Sequence, residues 1–183
     1  MMPSGMLTDA EGPVVCSEKT FRALVALRRE KLIAEVYTRV VMARSNWRAV
    51  IESEDVTRRG DASFDLESPP PWLDLIDEKR FVHVELPARC GEGIACSLEL
   101  DTLRLAVGLP ASLVLLDGLI KEKAKLSFIK AEGTVSILVM AYRLDKLSAV
   151  QPMVKALQKL GHGEVIPPPE TLEALWRALE GLS

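Results

Sequence analysis

The side chains in this chain best suited to chemistry are carboxylates and lysines, the raw material for holding hard metal ions and phosphate backbones. Asp117 closes residues 112–117 (SLVLLD), a nearly all-apolar run that gives the strongest strand signal in the sequence. On local grounds it reads as a strand-end loop residue, and Glu92, next to Gly91, as a first-turn acid favoured by the helix dipole. Shortly after Asp117 come Lys121, Glu122, Lys123 and Lys125, a basic patch that suits a phosphate backbone as well as it suits an ordinary exposed helix face. Arg22, Arg28, Arg29 and Lys31 lie along an earlier helix; with Glu30 and Glu35 interleaved they read first as a solvated face. Ser17 occupies an N-cap position, and no motif brings a histidine to activate it as a nucleophile. Cys16, Cys90 and Cys96 have no CxxC spacing, and neither His83 nor His162 lies near a cysteine, so a disulfide framework or a zinc site is not expected. Reduced thiols of this kind point to a cytoplasmic protein.

The elements that must carry these residues alternate. Residues 13–16 read as a buried strand and 18–33 as a helix; 36–42 (VYTRVVM) follow as a second strand and 45–51 as a short helix. Residues 52–71 are polar, contain Ser68-Pro69-Pro70-Pro71, and make the best candidate for a mobile loop. Of 72–76 and 80–86, one is expected to join the sheet; 91–105 return to helical character before the strand at 112–117. The last third gives a helix over 120–128, a short strand within 129–133, a helix capped by Thr134, and two more opened by Pro152 and Pro169 and stopped by Gly161 and Gly181. Trp47, Trp72 and Trp176 are not spaced as a stacking platform and are assigned to packing; Leu172, Leu175, Trp176 and Leu179 share one face, suited to docking on the domain itself or on a dimer partner.

The chain has 183 residues, which suits a short flexible leader (1–12) and a single domain (13–183). No apolar run reaches the 18 or so residues that span a bilayer, and the first residues have no secretory pattern. A net charge of −3 gives no global attraction to nucleic acid, so any such contact must be local. The expected fold is a three-layer α/β/α domain with a mainly parallel sheet of four or five strands, whose ligands would sit at the carboxyl ends of the strands.

Four ordered stretches carry a resemblance: VVCSEKTFRAL (14–24), CGEGIACSLEL (90–100), SLVLLDG (112–118) and GTVSILVMAYRLDKLSAVQPMVKAL (133–157). Together they resemble the PIN-domain family, in particular a small prokaryotic PIN-like group related to VapC-type toxins. The resemblance implies a metal-dependent ribonuclease in which carboxylates at strand ends hold Mg²⁺ or Mn²⁺ and the ion activates water. Carried over residue by residue, Glu92 and Asp117 are the retained catalytic and metal-binding acids. Ser17 stands where an aspartate is expected, Ala49 where a glutamate is, Gly118 where a second aspartate is, and Ser136 where a glycine is. Glu18 and Glu52 are the nearby acids that could replace a lost ligand, Glu18 being taken as the third metal residue; Lys121, Lys123 and Lys125 would meet RNA. Two functions stay open: a degenerate PIN-like module binding RNA or protein, and an active ribonuclease toxin with a rebuilt acidic site. Implied partners are RNA, a small antitoxin-like protein and a second copy of the chain.

Overall fold

The computed structural model describes residues 12–57, 81–84, 97–109, 111–118, 121, 124 and 130–181. Five strands, β1 (Val14–Cys16), β2 (Val40–Ala43), β3 (Phe81–Val84), β4 (Leu113–Leu115) and β5 (Ala131–Glu132), form one sheet in the order β3-β2-β1-β4-β5. Every pairing is parallel. The expectation that the first strand lies beside the SLVLLD strand holds in register: Val14 faces Leu113, Val15 faces Val114 and Cys16 faces Leu115.

These strands are short unbroken apolar runs because both faces of the sheet are covered. Val14, Cys16, Val40, Met42, Leu113 and Leu115 point into one core, Val15, Val41, Ala43, Val114 and Leu116 into the other, as the two-residue strand period dictates. The first core is filled by α1 (Glu18–Ala26), α2 (Leu32–Val36), α3 (Arg44–Ile51), α4 (Glu54–Thr57), α6 (Thr134–Arg143) and α7 (Gln151–Lys159). On its margin lies α8 (Pro169–Glu180). The second core is covered by α5 (Leu98–Gly108) through Leu105 and Ala106, with Ala124 beside them. The chain is thus an α/β protein with a parallel sheet between helical layers.

Three boundaries differ from the sequence reading. The helix expected over 18–33 breaks after Leu27, where Arg28 takes φ 56°, and restarts as α2. Val36 therefore ends a helix, and the second strand begins four residues later than expected, at Val40. Within the polar stretch 52–71, residues 54–57 form α4 with Asp55 and Val56 buried, because Val56 joins the core and Asp55 finds ionic partners. Residues 58–71 of that stretch, residues 1–11 of the 1–12 leader, and residues 72–76 and 91–96 lie outside the described residues. Among the described residues no helix is long and apolar enough to cross a membrane.

Candidate functional site

The strand order reverses between β1 and β4, which makes their carboxyl ends the natural ligand crevice of an open parallel sheet. Ser17 follows β1 directly and its backbone N–H donates to Leu115 O at 3.0 Å, while Asp117 lies two residues past β4. Ser17 and Asp117 are joined through the hydroxyl of Thr20. What they build is a hydrogen-bonded knot.

Asp117 is 5 % exposed and both of its carboxylate oxygens are engaged. Oδ2 accepts from the Thr20 hydroxyl at 2.7 Å and from the Thr134 hydroxyl at 2.7 Å. The Thr134 backbone N–H straddles Oδ1 and Oδ2 at 3.0 and 3.2 Å. Thr134 is the first residue of α6, whose N-cap, Gly133, offers no side chain. Asp117 takes over the capping role that the sequence reading gave to Thr134, placing negative charge at the helix N-terminus. Gly133 is required here: a Cβ built on it would overlap Asp117 Oδ1.

Ser17 enters the same knot as a donor. Its hydroxyl donates to Thr20 Oγ1 at 3.1 Å and accepts from the Thr20 N–H at 3.4 Å, capping α1 as expected. A relay of hydroxyls thus runs Ser17, Thr20, Asp117, each bond polarising the next. Burial pushes the Asp117 carboxyl above its ordinary value; the bonds from Thr134 and Thr20 and the charge of Lys121 offset only part of that rise. The neighbouring Cys16 thiol is raised well above normal by complete burial, with the Asp117 charge adding to it, which leaves it unreactive.

Glu18, the proposed replacement ligand, faces another way. Its Oε1 binds Arg22 Nη1 at 2.7 Å, Arg22 Nε binds Asp55 Oδ2 at 2.7 Å, and Asp55 Oδ1 meets His162 Nε2 at 2.9 Å. Burial pushes Asp55 upward, yet the hydrogen bonds from His162 and Arg22 outweigh it and hold the carboxyl below its usual value. Arg22 is therefore an internal counter-ion rather than part of a phosphate-facing stripe. Between the two clusters, fully buried Asn46 accepts from the Glu18 N–H at 3.0 Å and the Thr102 hydroxyl at 3.3 Å, and donates to Leu98 O at 2.9 Å. It joins α1, α3 and α5 above the strand ends.

These donors do not fit a divalent ion. Among the described residues, Asp117 has both oxygens committed, Ser17 is neutral, Glu18 is paired with Arg22, and Glu52 caps α3 on the exposed surface. Among the described residues no cluster of three or more acids, histidines or cysteines could hold a metal. Of the lysines assigned to RNA, Lys121 is close enough for its charge to act on Asp117. Lys123, Lys125 and Glu92 lie outside the described residues.

The sequence reading missed Thr20, Asn46, Asp55, Gly133, Thr134 and His162 as site-forming residues. A local signal existed for Gly133-Thr134, a helix start with no side-chain cap of its own directly after a strand. Asp55 and His162 are 107 residues apart and carried no such signal. Trp47, assigned to packing, does pack, with its ring centroid 6.0 Å from that of Phe21. Comparison with family models, with curated proteins and with solved structures finds no match.

Proposed function

We propose that the chain is a PIN-like domain that has stopped cutting RNA and serves as a binding module for RNA or a protein partner in the cytoplasm. The observation that carries this reading is the occupation of Asp117: the acid at the strand-order reversal commits both oxygens to Thr20 and Thr134. A nuclease needs that carboxylate facing the ion, together with further charged ligands. Serine at position 17 supplies a proton to the relay instead of a charge. The loss of a charged ligand costs a two-metal site on the order of several kcal/mol of transition-state stabilisation, roughly a thousandfold in rate.

The second reading, an Mg²⁺- or Mn²⁺-dependent ribonuclease toxin completed by Glu92, draws on one observation: Asp117 and Ser17 sit together where the strand order reverses, with the charge of Lys121 close by. The two readings separate in one experiment. Purified protein incubated with mixed RNA and Mn²⁺ is expected to leave the RNA intact, as is its Asp117→Asn variant. Robust cleavage by the unmodified chain that Asp117→Asn abolishes establishes the nuclease and removes the binding-module reading.

A further inference from the structure

We infer that α8 is a strap that opens as one unit while the rest of the domain stays folded, baring the apolar surface on which it lies. This does not depend on the binding-module reading. Burial marks where the fixed part of the chain stops. Val165, in the 3₁₀ turn Gly163–Val165 that follows α7, is 2 % exposed and belongs to the main core. Past it no described residue is buried. Leu172, Leu175, Trp176 and Leu179 rest half-buried against that core, and the remainder of α8 is exposed. By contrast α6 sinks Val135, Ile137, Leu138, Val139 and Ala141 fully into it.

Three further features loosen the helix from its seat. The stripe that holds it, at positions i, i+3, i+4 and i+7, is one narrow seam. The hydrogen bonds of Thr171, Leu172 and Arg177 close within the helix and its cap. Leading into it, Pro167, Pro168 and Pro169 have no N–H to donate to the domain, and Pro168 holds the extended polyproline backbone (φ −54°, ψ 152°). Toward Glu180 the helix lies over an open cleft of about 380 Å³, between Trp176 and Leu179 on one side and Tyr142, Val150 and Pro152 on the other, rather than over a packed floor. The cost of a local opening follows the apolar area it exposes, so α8 opens at far smaller cost than α6. Once off the domain a helix of 12 residues is marginal in water. Undocking therefore melts it, and the whole helix opens together.

Hydrogen exchange of the full chain, resolved along α6 and α8, tests this. The amides of α8 are expected to exchange roughly a hundredfold or more faster than those of α6, yet slower than an unfolded chain, and at one common protection along the helix. Leu172→Ala trims the seam in the first turn of α8. It is expected to speed exchange roughly tenfold along the whole helix, as far as Leu179, while α6 keeps its rate. Leu179→Ala is expected to do the same back to Leu172. Both side chains are only half-buried, so the domain remains folded, which far-UV circular dichroism checks. An α8 as protected as α6, or one exchanging like an unfolded chain, overturns the proposal. So does a substitution felt only in its own turn, which is fraying, or one that speeds α6 equally, which makes α8 part of the global unit.

Discussion

At the scale of the residue, three donors converge on the strand-end carboxylate of Asp117, so Asp117→Ala strands two hydroxyls and a helix-terminal N–H in a buried site and is expected to cost about 3 kcal/mol. Asparagine keeps one acceptor oxygen, and Asp117→Asn is expected to cost about 1 kcal/mol or less at neutral pH. The pH dependence has a definite sign. Because burial raises the folded-state value, the folded chain holds the Asp117 proton more tightly than the unfolded one. Stability linked to this group is present at low pH and is lost as pH rises from the ordinary carboxylate value through the folded one. Urea unfolding across that window, followed by circular dichroism, should show this slope in the unmodified chain and its absence in Asp117→Asn. Gly133→Ala drives a methyl into the same carboxylate and is expected to cost about 2 kcal/mol by overpacking. The acid was legible in the sequence as the end of an apolar strand. Its partner Thr20 was not, since it is 97 residues away and only the fold brings it there.

At the scale of the element, the strands that pair in the sheet centre were the most legible, because burial on both faces leaves them little but apolar residues. The second strand was misplaced for a physical reason: Val36 and Tyr37 are buried too, so apolar character alone did not separate the end of α2 from the start of β2. The break at Arg28 rests on a left-handed backbone at a residue with no preference for one, and α4 hid in a polar stretch because its buried Asp55 is held by charge rather than by apolar contact. Asn46 is the side chain on which three helices meet. Asn46→Leu strands the Glu18 N–H, while the Thr102 hydroxyl keeps the Leu98 carbonyl at 3.0 Å, and thermal or urea unfolding should show a loss of about 2 kcal/mol.

At the scale of the molecule, the Glu18–Arg22–Asp55–His162 chain ties the first helix to α4 and to the turn after α7. Asp55→Asn is expected to cost about 2 kcal/mol near neutrality, less than a fully buried pair because Arg22 is 33 % exposed. Asp55 is held below its ordinary value when folded, so its contribution is present above that value and is lost as pH falls through the folded one. The gap between the unmodified chain and Asp55→Asn should therefore close in strong acid. Among the described residues at the strand ends, this chain and the Asp117 knot leave the carboxylates of Glu18, Asp55 and Asp117 paired within the protein. Calorimetric titration of the purified chain with Mn²⁺ tests that most directly: no saturable binding is expected in the micromolar range, and a micromolar site that Asp117→Asn removes would contradict it.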